Sequence, residues 1–449
     1  MPPKSDLSAE RASAERERAT SEIEGFLQDA IQRLEPDLAE RRRNGPGRPR
    51  IVPSLCLWAG MLVCVLRGFT SQHALWRLLS DASLWFYPRF AVTDQAIYKR
   101  LAQGGSAVLE QLFRQISELL RQRLEPYALN DLGPFAKEVV ALDESTLDPI
   151  ARKLPALRGL AADDPRRLPG KLAGTYDLRR QQWRCVQHIV DPQQNEKVAA
   201  RGLIAELPPG SLILADLGYF GFAWFDELTT AGHWWVSRLR AKTSYSVRHI
   251  YYQEAETLDA LIWLGAYRAD QAAHTVRLVC FRLGATSYHY LSNVLDPRQL
   301  SIRDIARLYA RRWDFELAVK LIKRHLDLHL LWSSKTVVIV QQLWAVLIIA
   351  QILQALQMEI AGRAGVDPFD VSLALLVQYL PQHAYRGRDP LQAFIENGRA
   401  MGYIRPSRRT KIRAPEIPPE QLEPLPPDFE LVRAPRYARR RCVRPKVAN

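Results

Sequence analysis

Asp143, Asp216 and Glu316 are three acidic residues set where a sequence can assemble a metal-binding site. Asp143 closes the short apolar run Glu138-Val139-Val140-Ala141-Leu142, and Asp216 closes Ser211-Leu212-Ile213-Leu214-Ala215. Runs of this kind predict buried strands. Sheets of the α/β type present their ligands at the C-terminal ends of such strands. Glu316 lies in Tyr309–Lys323, a stretch without Pro or Gly in which apolar residues recur at helical spacing. Hard cations such as Mg²⁺ take oxygen ligands and keep positions for water and phosphate. Two such ions roughly 3.5–4 Å apart can activate an attacking oxygen and stabilise a leaving one at phosphorus. Three carboxylates suffice if one of them bridges, so two Mg²⁺ ions are expected, with Mn²⁺ as a substitute.

The stretch around Glu316 predicts one unbroken helix. At about 100° per residue, Tyr309, Arg312, Glu316 and Lys323 share one arc, beside an apolar stripe of Leu308, Phe315, Val319, Ile322 and Leu326. Arg303, Arg307, Arg311 and His325 are expected to face water, and Asp314 to be solvated. Lys320, Lys323 and Arg312 would neutralise a phosphate backbone. A plain surface helix laced with ion pairs has the same composition; two strand-end aspartates in need of a third carboxylate favour a site. Glu144 alternates to the other side of its strand, and Asp148 follows in a loop, so neither is a first choice as ligand. His325 and His329 lack the intervening Glu of a zinc helix, and no phosphate-binding Gly-Lys-Ser/Thr loop signals ATP.

The elements that must position these residues divide the chain by texture. Residues 1–50 read as a polar helix (Ser21 to Leu34) and a basic arm, in which Arg48 and Arg50 could lie in a narrow minor groove. Residues 51–135 read as a helical DNA-binding or dimerisation domain. Within it Ser71–Leu79 and Thr93–Leu101 could form a helix-turn-helix. Residues 136–240 alternate strands and helices: Ala173–Arg179 and Trp183–Val190 are strands around a turn at Arg180-Gln181, and His233–Leu239 is a strand carrying Arg238 as a candidate DNA contact. Residues 241–299 read as a β-rich insertion with strands at Tyr245–Tyr252, Thr275–Leu283 and Ser287–Leu291. Residues 300–362 hold the Glu316 helix and a long apolar helix from Thr336 to Met358. Residues 363–449 are a helical stretch and a basic tail rich in Pro and Arg, with Arg439, Arg440 and Arg441 as further DNA contacts.

The net charge of +14 and pI near 9.7 favour a polyanionic partner. Residues 401–449 hold twelve Lys/Arg against five Asp/Glu, about half of that excess. Five scattered cysteines without a CxxC pair argue against a zinc finger and for a reducing compartment. No signal peptide is expected. Thr336–Met358 is long enough to span a bilayer, but Gln341, Gln342, Gln351, Gln354 and Gln357 interrupt it, so a buried core helix is expected instead.

Three blocks carry a family resemblance. Asp143 with Ser145 and Thr146 forms the first. Asp216-Leu217-Gly218-Tyr219 with Phe225, Leu228, Gly232 and Arg238 forms the second. The third is Tyr309, Arg312, Glu316 and Lys323, spaced Y-(2)-R-(3)-E-(6)-K. Together they resemble the bacterial DDE transposases of the insertion-sequence-four family, over about residues 136–345. The resemblance implies an α/β fold: a ribonuclease H-like catalytic core with a β-rich insertion, preceded by an all-helical N-terminal domain. It implies metal-dependent cleavage of double-stranded DNA at the element's terminal inverted repeats, then joining of the 3′-hydroxyl ends to target DNA. It also implies that Tyr309, Arg312 and Lys323 contact terminal DNA. A homodimer acting on two ends, without ATP or membrane, in the bacterial cytoplasm with the nucleoid, is the matching expectation. A nuclease of this fold that cuts without joining, and a DNA-binding protein with a silent site, are the rivals.

Overall fold

The computed structural model describes residues 21–32, 51–82, 84–85, 87–147, 170–191, 194–265, 271–328, 330–385, 389–407 and 412–433. Arg48, Arg50, Asp148, His329, Arg439, Arg440 and Arg441 lie outside these residues. The protein is a mixed α/β structure with a large mixed sheet, and the chain falls into two compact units.

The first unit comprises residues 1–129, 144–203 and 313–409. Its described helices are α1 (Ser21–Gln32), α2 (Ser54–Leu66), α3 (Gln72–Arg77), α4 (Asp94–Gln103), α5 (Ala107–Arg123) and, after the strands named below, α6 (Glu196–Ala205), which starts here and ends in the second unit. Ser71 and Thr93 cap α3 and α4, accepting from Ala74 and Ala96 amides. Of the polar residues on α4, Arg100 is occupied by Val52 and Ser54, and Tyr98 by His73, leaving Gln95 and Lys99 exposed.

The strands β2 (Lys171–Asp177) and β3 (Gln182–Ile189) form an antiparallel hairpin, with Gln181 at φ 54° in the turn. Helix α10 (Thr336–Ala364) runs through the core of this unit and packs on α2 and α5. It is apolar and long enough to cross a membrane by length and composition, yet each interrupting glutamine finds partners inside the protein. Gln341 donates to Leu101 and Gly104 carbonyls, Gln342 to Leu330, Gln354 to the Tyr176 hydroxyl, and Gln357 to Pro368 and Val371. Gln351 accepts the Trp183 amide at 2.8 Å and donates back to its carbonyl at 2.9 Å. Donated bonds of this kind help polar residues to be buried.

The second unit comprises residues 130–143, 204–312 and 410–449. Strand β1 (Val139–Thr146) begins here and passes into the first unit after Asp143. Its residues Val139–Leu142 and all of β4 (Leu212–Ala215) are buried. Continuous apolar runs of this sort suit parallel strands covered on both faces. They pair in parallel, from Val139↔Leu212 to Leu142↔Ala215, and β4 pairs in parallel with β5 (Trp234–Arg238). Between them α7 (Phe222–Thr230) covers the sheet, with Phe225 stacked on Trp235 at 4.2 Å. Gly232, at φ 77°, supplies the left-handed turn from α7 into β5.

The next four strands, β6 (Tyr245–Glu254), β7 (Thr257–Leu264), β8 (Val276–Leu283) and β9 (Thr286–Ser292), extend this sheet instead of forming a separate body. Within the unit the order is β1-β4-β5-β9-β8-β7-β6, the last four antiparallel to their neighbours. Helix α8 (Ile302–Ala310), capped by Ser301, closes this part of the chain.

Candidate active site

In the second unit Asp143 and Asp216 each follow the last paired couple of β1 and β4, Leu142↔Ala215. They therefore leave adjoining parallel strands side by side, at the same level, on backbones about 4.8 Å apart. The Asp216 carboxylate accepts the Leu217 amide at 2.7 Å and so caps the short turn Leu217–Tyr219. Asp143 accepts from Arg312 Nη1 at 2.7 Å, with side chains 17% and 7% exposed. Tyr309, on α8, is buried and donates its hydroxyl to the Ala215 carbonyl at 3.4 Å, one residue before Asp216. Burial pushes that hydroxyl up to about 12, although Arg312 and Arg238 pull the other way. Arg238 ends β5 and is exposed. Arg240, which the sequence did not single out, donates to the Leu217 carbonyl at 3.0 Å and lies 5.2 Å over the Phe220 ring.

In the first unit Glu316 is half-buried on α9 (Trp313–Lys320), and Lys320 at the end of that helix is exposed. Residues Leu321–His325 continue as a turn of π-helix, a local widening that often accompanies functional positions. From it Lys323 donates to Ser145 Oγ and the Thr146 carbonyl, both at 2.7 Å. Lys323 thus holds the end of the strand that carries Asp143. Glu144 ion-pairs with Lys171, and both are nearly buried.

Four expectations require correction. The helix predicted over Tyr309–Lys323 is broken at Arg311-Arg312, between α8 and α9. Both residues close tight turns, their amides bonding Leu308 and Tyr309 carbonyls three residues back, and hydrophobic periodicity does not register a two-residue break. Tyr309, Arg312, Glu316 and Lys323 therefore do not lie on one straight helical arc. Arg311 is buried at 9% exposure rather than water-facing, and His325 is half-buried. Asp314 is 1% exposed and accepts from Gln181 at 3.0 Å; it is a structural acceptor, not a solvated charge. Strand β1 runs four residues past Leu142, to Thr146, so Asp143 sits where its pairing with β4 ends rather than where the strand ends.

Among the described residues, no three His, Cys, Asp or Glu side chains are gathered into a ready-made metal centre. The donors offered in the second unit are nonetheless of the right chemistry: Asp143 and Asp216 supply hard carboxylate oxygens that retain access to water.

Residues 163–352 match the transposase DDE domain family. The matched span includes Asp216, Arg238, Tyr309, Arg312, Glu316 and Lys323, and begins after Asp143. The transposase for insertion sequence element IS231F from Bacillus thuringiensis subsp. israelensis is 23% identical over 240 residues, covering 51% of this chain and 47% of that protein. The chain thus spans about half the length of this curated relative. The cryo-EM structure of the piggyBac transposase synaptic complex with hairpin DNA aligns over 82% of this chain and 81% of that chain, at 9% identity and a TM-score of 0.36; at that score the likeness decides nothing. The domain match and the curated relative support a DDE transposase of an insertion sequence.

Proposed function

We propose that the chain is an insertion-sequence transposase of the insertion-sequence-four group that binds its element's ends, cleaves the DNA and joins the 3′-hydroxyl ends to target DNA by cut-and-paste. The observation that carries this reading is the side-by-side departure of Asp143 and Asp216 from β1 and β4, with Arg312 on one carboxylate and Tyr309 beside the other. Asp143, Asp216 and Glu316 are the proposed ligands of two Mg²⁺ or Mn²⁺ ions, which when bound favour in-line displacement at phosphorus. Arg312 positions a phosphate oxygen near the carboxylates. Tyr309, with its hydroxyl held near 12, stays protonated at working pH and acts as a hydrogen-bond donor rather than a base. Lys323 orders Ser145 and Thr146 and, with Lys320 and Arg238, contacts the backbone. Arg48, Arg50, Arg439, Arg440 and Arg441 extend these contacts.

The same reading treats residues 136–240 and 300–362 as a ribonuclease H-like core, 241–299 as its β-rich insertion and 51–135 as a helical N-terminal domain. It gives a homodimer on paired DNA ends, with no ATP, in the nucleoid region of the cytoplasm. The test is a strand-transfer assay with purified protein, Mg²⁺ or Mn²⁺, and duplex DNA carrying the element's ends. Cleavage and joining are expected for the wild type, and neither for Asp143→Ala, Asp216→Ala or Glu316→Ala. Cleavage without joining would replace this reading by a nuclease. Full cleavage by any of the three variants would remove that residue from the site.

A further inference from the structure

Among the described residues of the second unit, six arginines hold carboxylates: Arg277 with Asp259, Arg282 with Glu256, Arg298 with Asp296, Arg303 with Glu416, Arg307 with Asp131 and Arg312 with Asp143. Arg240, Lys242 and Arg248 hold none among the described residues and are all exposed. They are also linked. Arg240 is anchored on the Leu217 carbonyl, next to Asp216. The turn that follows is closed by the Thr243 amide and hydroxyl, both donating to the Arg240 carbonyl, and it projects Lys242 at φ 63°. Ser244 then accepts the Gly265 amide at 2.7 Å, and Gly265 in turn accepts from Arg433 Nη1 at 3.1 Å. Arg433 and Arg248 both stack on the Trp263 ring, at 4.7 and 4.0 Å.

We propose that Arg240, Lys242 and Arg248 form a phosphate-backbone track for double-stranded DNA, running from the Asp216 loop to the β6 edge of the sheet. The proposal rests on the reading of DNA as the substrate. A guanidinium stacked on an indole, or bonded to a carbonyl through one nitrogen, keeps further N–H donors for phosphate oxygens. Its conformation is already fixed, so less side-chain freedom is lost on binding. Arg240, Lys242 and Arg248, without a carboxylate partner among the described residues, attract a polyanion, and this row begins beside a carboxylate proposed to act on its backbone.

The experiment measures affinity for a labelled duplex of unrelated sequence by fluorescence anisotropy across a series of salt concentrations. Arg240→Gln with Lys242→Gln should weaken binding roughly tenfold at about 150 mM salt. It should also flatten the log–log salt slope by nearly two, at about 0.9 per lost phosphate contact. Arg298→Gln with Arg303→Gln removes the same charge from paired positions and should leave the slope unchanged. Equal effects from both pairs of substitutions, or none from the first, overturn the track. Wild-type protein that binds DNA with the full slope but cuts no DNA would remove the catalytic reading and leave the track standing.

Discussion

Two Arg–Asp pairs in the second unit differ in how they are finished. Arg277 grips both carboxylate oxygens of Asp259 at 2.6 Å and donates a further bond to the Leu300 carbonyl at 2.5 Å, with side chains 0% and 1% exposed. Arg312 meets Asp143 at 2.7 Å with one bond; the arginine is buried at 7% exposure, and the carboxylate keeps 17%. The first pair joins β7 to β8 and the approach to α8, and no ligand can reach it. The second lies at the end of the β1–β4 pairing, where a cation could take one partner and a phosphate the other. Burial, not the chemistry of the pair, separates a fastener from a candidate site.

Substitution of the two aspartates should separate them most sharply. Asp143→Asn should reduce DNA cleavage by more than about 100-fold, since even indirect metal contacts are worth about 10–100-fold, while the melting temperature stays close to that of the wild type. Asp216→Asn and Glu316→Gln should behave alike. Cleavage surviving in Asp143→Asn would place this pair with the structural one. The reverse pattern is expected in the sealed pair. Arg277→Ala strands a buried carboxylate and should cost about 3–5 kcal/mol in denaturant unfolding. Arg312→Ala leaves Asp143 with 17% exposure to water and should cost less than that. Similar losses for the two would erase the distinction.

The two pairs also mark what could be read from the residues alone. Val139–Leu142 and Leu212–Ala215 are unmixed apolar runs, so their strands and the aspartates after them were legible. The same was true of α10, whose five glutamines were expected inside a core and do bond there. Strand β7 was not assigned, because Asp259 interrupts its apolar pattern and the arginine that makes it tolerable lies 18 residues away. Asp314 and Arg311 were read as surface charges for the same reason: a buried charge looks exposed until its partner is known. The break at Arg311-Arg312 lay below the resolution of a helical wheel, though it decides which residues share a face.

Tyr309 offers a finer test of how closed the open pair's surroundings are. Burial raises its hydroxyl from 10 to about 12. Between those values the unfolded chain has lost the proton and the folded chain keeps it. Stability from this group is therefore complete below pH 10 and lost as pH rises towards 12. Tyr309→Phe should remove up to about 2–3 kcal/mol of that alkaline decline, measured as unfolding free energy against pH. Tyr251, raised to about 12 chiefly by burial, and Tyr290, also raised by burial, should sustain the remainder. An alkaline slope unchanged in Tyr309→Phe would mean the hydroxyl is in contact with water.

The smallest effect bears most directly on the comparison. If Arg312 and a cation compete for the Asp143 carboxylate, Arg312→Gln should bind Mn²⁺ about tenfold more tightly than wild type in calorimetry without DNA. That corresponds to about 1.4 kcal/mol, within reach of one charge-assisted bond. Asp143→Asn should bind more weakly, and Arg298→Gln, which alters a pair away from the strand ends, should match the wild type. The expected sign is unusual for a residue proposed to assist catalysis: losing Arg312 improves metal binding while weakening DNA binding. Such opposition would mean that metal loading frees the arginine for a phosphate. Unchanged or weaker Mn²⁺ binding by Arg312→Gln would show instead that the pair stays closed when metal binds, as the Arg277 pair does.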